Sequence, residues 1–324
     1  MTINLKDDRG IALILTISMI GLIILLSLQF SRSMRTGLYE TANFDDTIRL
    51  GTIAKSGINC GLAVLFEDDP NEDSLHDTWA SLKDYSSYST ALFGNEGRFE
   101  TVITDLAGKI QINRLINQNG EYNTKQKEIL TRLLSSSGFL LEPDEAEDIL
   151  DAIKDWIDKD NEPTRFGAED SYYQSLDHPY SCRNAPLDSV DELLLIKGIT
   201  RELLYGTEES TGLSAYLTVH GDEKININTA DPLVLAALSE DLDSVMIKEM
   251  VDYREDEKND LNNPDWYKSA LGTNETIIDP DLITTKSEYF EIRSKGLNGS
   301  RSKEIKAAVK RKGKSLTVLS WKTL

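Results

Sequence analysis

The stretch RGIALILTISMIGLIILLSLQFSRS, residues Arg9–Ser33, is the most apolar part of an otherwise strongly acidic chain. Within it, Ile11 to Phe30 is a run of twenty residues without a charge. As a helix rising 1.5 Å per residue, that run would be about 30 Å long, which is the thickness of one bilayer core. The run therefore predicts a transmembrane helix over residues 11–31.

The segment before this run is a polar head of ten residues, MTINLKDDRG. Its charges are mixed, so the positive-inside rule orients the helix only weakly. A secretory signal has a shorter apolar region followed by a small-residue cleavage site. Here no such site follows Phe30, and the helical pattern continues through Gln29, Ser31 and Ser33.

Beyond the membrane run, apolar residues recur at intervals near three and four up to about Phe66. This spacing predicts that the helix continues over residues 32–66 as an amphipathic stalk whose apolar face packs on a sheet. Asp68, Asp69, Pro70 and Asn71 are expected to end it. The apolar positions are Leu38, Ala42, Ile48, Ile53, Ile58, Leu62 and Leu65.

Two regions alternate as strands do. GRFETVITDLAGKIQINRL, residues 97–115, predicts a hairpin with its turn at Ala107–Gly108. The C-terminal region from Ser287 alternates through three further segments, with turns at residues 296–299 and 312–313. It predicts an antiparallel meander lying against the N-terminal helix.

The middle of the chain, from Asn123 to about Gly206, has helical periodicity. One predicted helix carries an apolar face and is followed by Gly138, and the next begins at Pro143. In this second helix, Asp144, Asp148, Asp151 and Asp155 share the face opposite the apolar one. We expect most of that acidic stripe to face solvent.

Charge and cysteine content limit the functional classes. The chain has 324 residues and a formal net charge of −20. Nucleic-acid binding is disfavoured because phosphate contacts depend on Lys and Arg. Cys60 and Cys182 could form a disulfide in an oxidising compartment or remain two inert thiols, and the sequence leaves both readings open.

An acidic segment follows the second helix, DKDNEPTRFGAED over residues 158–170. Carboxylates at alternate positions closed by a glutamate are typical of loops that bind hard cations such as calcium. Pro163 stands where an EF-hand needs glycine, so an EF-hand is not expected. A different calcium loop and a solvated acidic turn remain as alternatives.

Two features resemble known secretion proteins. The sharp change from polar to apolar at Gly10–Ile11 resembles a type IV prepilin leader, in which a peptidase cuts after the glycine. Leu15 stands where most pilins and pseudopilins have a glutamate. The motifs DWIDKDNEPTRFGAEDSYYQSL and HPYSCRNAPLDSVDELLLIKGIT, within Asp155–Thr200, resemble the signature of the type II secretion minor pseudopilin K family.

This resemblance implies an α+β fold, with a pilin-like long N-terminal helix packed on an antiparallel sheet and a large inserted all-helical domain of the helix-hairpin-helix or SAM-like kind. The implied domains are a leader (1–10), a transmembrane helix (11–31), a stalk helix (32–66), an α/β domain (67–120 and 213–324) and the insert (121–212). The family also implies bound calcium. Carrying its motif onto this chain gives Asp158, Asp160, Glu169, Asp170 and Asn184 as ligands, although Cys182 and Arg183 depart from the family's alanine-rich pattern beside Asn184.

The function implied is that of a minor pseudopilin, not an enzyme, that caps the tip of the type II secretion pseudopilus and helps to initiate it for protein export across the outer membrane. Its implied partners are the I- and J-type minor pseudopilins, the prepilin peptidase and the inner-membrane platform, with no nucleic acid. The resemblance further implies cleavage between Gly10 and Ile11, methylation, and a single-pass inner-membrane anchor with a periplasmic body. Because Leu15 stands in place of the family's usual glutamate, this subunit need not pair with the amino terminus of a further subunit above it. The resemblance therefore places it at the tip of the fibre.

Two other functions compete with this reading. LDSVDELLLIKGITRELLYG, residues 187–206, is similar to a helix-hairpin-helix of DNA-uptake proteins, but its flanks are acidic. A membrane-anchored metal-dependent enzyme is the other alternative, with the acidic block holding the metal. The sequence shows no nucleophile–base pair or phosphate loop to support it.

Overall fold

The computed structural model of the protein describes residues 8–139 and 141–324. Residues 1–7, most of the predicted leader, lie outside the described residues. Helix α1 runs over Asp8–Glu67, sixty residues, and ends where the sequence predicts. Among the described residues it is the one helix long and apolar enough to cross a membrane by length and composition, with a mean hydropathy of 2.8 in its most apolar window.

The other elements are short. The α-helices are α2 (Leu82–Ser86), α3 (Thr90–Phe93), α4 (Thr124–Leu134), α5 (Pro143–Ile157), α6 (Asp170–Tyr173), α7 (Arg201–Tyr205), α8 (Pro232–Ala237), α9 (Ser244–Glu255) and α10 (Trp266–Ala270). The strands are β1 (Arg98–Asp105), β2 (Ile110–Gln111), β3 (Leu217–Thr218), β4 (Ile225–Asn226), β5 (Ile283–Thr284), β6 (Tyr289–Asn298), β7 (Arg301–Lys312) and β8 (Ser315–Thr323). Short 3-10 turns lie at Ser87–Ser89, Gly94–Glu96, Ile112–Leu115, Val190–Leu195 and Leu213–Ala215.

The main sheet has four antiparallel strands in the order β1-β6-β7-β8. The predicted C-terminal meander is therefore present, and with α1 and the helices it gives the predicted α+β fold. The predicted hairpin at residues 97–115 is wrong. β1 pairs with β6, whereas β2 pairs in parallel with β3. The chain leaves the sheet after β1, where the Asp105 carboxylate accepts a hydrogen bond from the Ala107 N–H (2.8 Å). The other oxygen of this carboxylate accepts hydrogen bonds from Ser287, Thr229 and Asn226, none of which belongs to β2.

Helix α1 lies unusually close to the sheet. A Cβ at Gly296 of β6 would overlap the Leu50 carbonyl oxygen and lie 3.0 Å from the Ala54 nitrogen. A Cβ at Gly61 would lie 2.8 Å from Ile292. Glycine is needed at these positions because any side chain would force the helix off the sheet. The first core lies in this contact and contains Ala54, Ile58, Leu65, Trp79, Leu82, Ile103, Phe290, Ile292, Ile305, Ala307 and Val309.

A second, larger core lies among the helices. It extends along the chain from Ile110 to Ile283 and includes Trp156, Tyr173 and Met250. It thus takes in residues on both sides of the predicted insert, 121–212, whose boundaries stay a prediction. The predicted first helix of the hairpin is a 3-10 turn at Val190–Leu195, and Gly198 follows it with the positive φ (+85°) expected of a terminating glycine.

A buried polar network joins the two cores. The Arg311 guanidinium donates to Asp68 Oδ2 (2.6 Å), to the Asp73 carboxylate and to the Ser287 carbonyl oxygen (3.1 Å). Beside it, Asp105 Oδ2 accepts from Ser287 Oγ (2.6 Å), from Thr229 Oγ1 (2.6 Å) and from Asn226 Nδ2 (2.9 Å). Arg311 and Asp73 are fully buried, so neither ion has water to solvate it. The end of α1, the sheet and the helical core therefore meet at paired charges.

The close approach of α1 to the sheet predicts opposite effects for two Gly→Ala substitutions. Gly296→Ala should lower the free energy of unfolding by about 1–3 kcal/mol, because the new methyl group meets backbone atoms. Gly51→Ala, also on α1, should raise it by up to about 1 kcal/mol, since no atom lies within 4 Å of its Cβ and alanine favours the helix. Denaturant unfolding of the two variants tests this. A stability loss of the same size in both would contradict the packing argument.

Candidate metal centre

Three buried carboxylates meet at the end of α5. Asp155, Asp158 and Glu169 each offer an oxygen within 4.8 Å of the other two, and their exposed fractions are 0%, 1% and 2%. Asp155 lies in the last turn of α5, Asp158 directly follows that helix, and Glu169 directly precedes α6. The end of α5 thus brings Asp155 and Asp158 together, and the loop from α5 to α6 brings Glu169 to them.

The loop between α5 and α6 folds back over the acidic face of the helix. The Thr164 N–H donates to both oxygens of Asp155 (3.0 Å each), and the Phe166 N–H donates to Asp151 Oδ2 (3.3 Å). At Gly167 a methyl group would overlap the Asp155 carboxylate. The expectation that the Asp144–Asp155 stripe faces solvent is therefore wrong for Asp151 and Asp155, which are buried under this loop.

Several oxygens at this cluster have no hydrogen-bond donor. They are Asp158 Oδ1, both carboxylate oxygens of Glu169, and Asn184 Oδ1, and all are buried. Leaving such an atom buried and unpaired costs about 1–3 kcal/mol, and more for a charged group. A divalent cation would pair with several oxygens at once. Carboxylate and amide oxygens are the ligands that calcium prefers, so the residues present fit that ion.

Asn184 and Asp160 lie beside the cluster on the exposed side. Asn184 has a positive φ of 48°, and its Nδ2 donates to the Asp160 carbonyl (2.5 Å) and to Asn161 Oδ1 (3.1 Å). These bonds hold the amide and leave its oxygen unpaired. The Asp160 side chain is engaged elsewhere, because its Oδ1 accepts from the Glu162 N–H (2.9 Å).

Of the five ligands carried over from the family motif, the structure brings Asp158 and Glu169 into the cluster of carboxylates. Asp160 and Asp170 lie outside it, and Asp170 Oδ1 instead accepts from the Cys182 N–H (3.0 Å). Sequence reasoning missed Asp155 as a member. Its place three residues before Asp158, at the end of a helix that runs into an acidic loop, was the available signal.

One cation of the chain already touches the cluster. Lys154 Nζ lies 2.8 Å from Asp158 Oδ2, 2.8 Å from Thr164 Oγ1 and 4.0 Å from Asp155 Oδ1. It reaches one side only, since Asp158 Oδ1 stays unpaired. Asp158 also forms part of the wall of a cavity of about 660 Å³ with Asn113, Arg114 and Glu223.

Burial and mutual repulsion change the proton affinity of the cluster. Burial, with the charges of Asp155 and Asp158, raises the pKa of Glu169 to about 7. Burial also raises the pKa of Asp155 and of Asp158. The nearby Cys182 is a free thiol, as is Cys60, and burial raises the pKa of Cys182 to about 12. Cys182 therefore adds no charge to the cluster.

A second group of acids, Asp68, Asp73 and Asp77, differs in its partners. Arg311 lies between Asp68 and Asp73, where it supplies the positive charge. Asp77 Oδ2 accepts from the Ser74 N–H (2.8 Å) and from Trp79 Nε1 (3.0 Å). These hydrogen bonds explain the second group without a metal ion, so the candidate centre is the Asp155 cluster.

Comparison with known proteins identifies relatives. Residues 108–207 match the family model described as type II secretion system (T2SS), protein K. A protein named type II secretion system protein K from Klebsiella pneumoniae is 29% identical in an alignment 243 residues long, which covers 71% of this chain and 70% of that protein. One of the same name from Aeromonas hydrophila is 26% identical in an alignment 251 residues long, which covers 72% of this chain and 70% of that protein.

A solved structure shares the fold. The crystal structure of the GspK-GspI-GspJ complex from the enterotoxigenic Escherichia coli type 2 secretion system contains a chain that aligns with a TM-score of 0.65 at 18% identity. The alignment covers 90% of this chain and 99% of that one. The similarity therefore extends over most of this chain and shows a common fold.

The raised pKa of Glu169 predicts how stability depends on pH when a chelator removes divalent cations. In the folded protein the pKa of the Glu169 carboxyl is about 7, whereas the ordinary pKa of this group, expected in the unfolded chain, is 4.5. Glu169 therefore favours folding at low pH; this contribution is fully present below pH 4.5 and is lost, by up to about 1.4 kcal/mol per pH unit, as the pH rises from there through about 7. Thermal unfolding from pH 5 to 8 should show the loss.

Two variants separate this effect from general charge repulsion. Glu169→Gln should flatten the pH dependence, and Glu162→Gln, an exposed glutamate in the same loop, should leave it unchanged. An unaltered slope in Glu169→Gln would show that the carboxylate does not titrate as its burial requires.

Proposed function

The chain belongs to the type II secretion system protein K family and is a minor pseudopilin, and we propose that it caps the tip of the pseudopilus and helps to start its assembly. The proposal rests on one feature of α1. No Asp or Glu occurs between Ile11 and Tyr39, and Leu15 occupies the position where most pseudopilins have a glutamate. A carboxylate buried in an apolar bundle needs a positive partner, such as the amino terminus of the next subunit. A subunit without it has no such contact to make and suits the end of the fibre.

The surface of α1 supports an assembly role. Its apolar side chains are exposed along the membrane run, with 64% of Leu15 and 71% of Phe30 accessible. The exposure continues beyond that run at Met34, Leu38, Phe44 and Ile48. A bilayer can cover the first part, and we propose that helices of neighbouring pseudopilins cover the second. By analogy with the GspK-GspI-GspJ complex, these neighbours are the I- and J-type minor pseudopilins.

The proposed pathway begins at the inner membrane. We propose that prepilin peptidase cuts between Gly10 and Ile11 and that the new amino terminus is methylated. The chain then stays as a single-pass inner-membrane protein with its body in the periplasm, where it meets the secretion platform. The role requires no catalysis by the chain itself.

The leader cleavage predicts a defined N-terminus. Expressed with the peptidase, the full chain should begin at Ile11, and without it at Met1 or the residue after it. N-terminal sequencing of the membrane fraction decides between them. Gly10→Val should block the cut, because the peptidase acts after glycine, while Gly21→Val inside the apolar run should be cut normally. An uncut chain in the presence of an active peptidase would contradict the proposal.

We further propose that the Asp155 cluster binds calcium, with Asp155, Asp158, Glu169 and the amide oxygen of Asn184 as the residues that hold it. The ion would supply positive charge to three buried carboxylates that otherwise repel one another. Its structural consequence follows from where the ligands lie. Asp155 and Asp158 belong to the end of α5, whereas Glu169 and Asn184 belong to the segments that return over it, so the ion would fasten the helical core around Trp156.

Calcium binding predicts a rise in melting temperature. At a free calcium concentration one hundred times the Kd, the gain in stability should be about 2.7 kcal/mol, or several degrees. The double variant Asp158→Ala with Glu169→Ala should lose this gain. Asp160→Ala with Glu162→Ala, an exposed pair from the same loop, should keep most of it. A melting temperature that stays constant from micromolar to millimolar calcium would rule out the site.

A further inference from the structure

The two edges of the four-stranded sheet are finished differently. At the β1 edge, two serine hydroxyls occupy the outward backbone groups. Ser86 Oγ accepts from the Thr101 N–H (3.0 Å), and its own proton lies between the carbonyl oxygens of Leu82 (2.8 Å) and Thr101 (3.3 Å). Ser89 Oγ accepts from the Phe99 N–H (3.0 Å) and donates to the Phe99 carbonyl oxygen (3.1 Å). This edge is therefore closed to another strand.

The β8 edge is open. β8 is an outer strand of the sheet, and every residue in it is exposed except the half-buried Leu316. Glu304 and Leu324 exchange both backbone hydrogen bonds, so alternate residues of β8 direct their N–H and C=O groups away from β7. The alternation is interrupted by a bulge opposite Ala308 and Val309. On the C-terminal side of the bulge the outward residues are Trp321 and Thr323, and between the bulge and the turn at Gly313 they are Leu316 and Val318.

The open edge is also apolar. Val318 lies opposite Val309 and Trp321 opposite Ala307, and both partners are buried beneath α1. Val318 and Trp321 thus continue the face that packs against the helix, yet each is 44% exposed. Long, exposed, apolar edge strands are usually avoided in proteins that act alone, since they pair with other chains.

Charge indicates what could pair there. From Ile305 to Leu324 the chain has six Lys and Arg residues and no Asp or Glu, although the whole chain has a net charge of −20. The six are Lys306, Lys310, Arg311, Lys312, Lys314 and Lys322. β8 contains one charged residue, Lys322, and no acid, so a second copy of β8 would bring no carboxylate to this edge. Most of the basic residues already pair with acids of the chain: Lys306 with Glu291, Lys310 with Glu288, Arg311 with Asp68 and Asp73, and Lys322 with Asp191. Lys312 pairs with no acid in the part of the chain that the structure describes, so a strand that carries carboxylates would complement its charge.

We propose that β8 is the docking edge for a neighbouring pseudopilin, which adds an extended acidic and apolar segment as a fifth strand. The added strand makes main-chain hydrogen bonds to Leu316, Val318, Trp321 and Thr323. Its apolar side chains cover Val318 and Trp321 beside α1, and its carboxylates approach the free amine of Lys312. The inference rests on the proposed tip assembly and names the surface that holds it together.

The experiment uses the full chain in detergent with the I- and J-type subunits of the same secretion system, added singly and together. Residue-resolved hydrogen exchange should show fast exchange at the amides of Val318, Trp321 and Thr323 in the free protein. In the complex these amides should slow at least tenfold. The amides of Ser320 and Lys322, which already bond to β7, should be slow in both states.

Two variants and a control complete the test. Trp321→Glu and Val318→Pro should each weaken the complex at least tenfold, the second because proline removes an outward N–H without breaking the β7 ladder. Leu92→Glu alters an apolar residue near the closed edge that is even more exposed (75%), and the affinity of this variant should equal the wild type's. A complex that forms with no new protection in β8, and with unchanged affinity in Trp321→Glu, overturns the docking edge but keeps the assembly. If the wild type forms no complex at all, the proposed partnership fails, and the docking edge fails with it.

Discussion

The ion pair between Arg311 and Asp73 is the interaction on which the folded body depends. Both side chains are removed from water, so each would carry a large desolvation cost if the other were lost. Arg311 comes from β7, Asp73 follows α1, and the guanidinium also binds Asp68 at the helix end and the Ser287 carbonyl ahead of β6. Asn226 Nδ2 then links Asp105, Ser287 and the Asp73 carbonyl to the helical core. Since every member has a partner in another segment, the anchor helix, the sheet and the helical core are fixed relative to one another.

The same requirement explains why the two acidic clusters differ. At the Asp73 group the chain supplies its own buried cation, Arg311, which pairs with both Asp68 and Asp73. At the Asp155 group Lys154 reaches one edge only, and four oxygens stay unpaired inside the protein. Carboxylates that pair with a lysine on one side and have unpaired oxygens on the other form an arrangement that a bound ion would complete. The first cluster therefore needs no ion from solution, and the proposed calcium would make the helical core dependent on the ion.

The sequence predicts the elements whose periodicity is long and clear. α1 ends where Asp68, Asp69 and Pro70 stop the apolar pattern, and the C-terminal strands pair in order because each follows the last through a glycine turn. The hairpin after Gly97 failed for a physical reason: alternation predicts a strand but not its partner, and Asp105 turns the chain away from the sheet. Burial of Asp155 could not be read from the helical stripe either. It depends on a loop ten residues further on, whose Thr164 N–H and side-chain-free Gly167 close over the carboxylate.

Two features, one at each end of α1, determine on which sides the subunit can contact its neighbours. At the membrane end, no Asp or Glu occurs between Ile11 and Tyr39, so this part of the helix has no carboxylate to pair with the amino terminus of a subunit above it. At the other end, Lys314 Nζ caps the last carbonyls of the helix, at 2.7 Å from Phe66 O, and so ties the β7–β8 turn to α1. A strand added to β8 would thus be held against the same helix that carries the anchor. Contacts to neighbours would then form along the side of the subunit and not above it, which is the geometry that a cap requires.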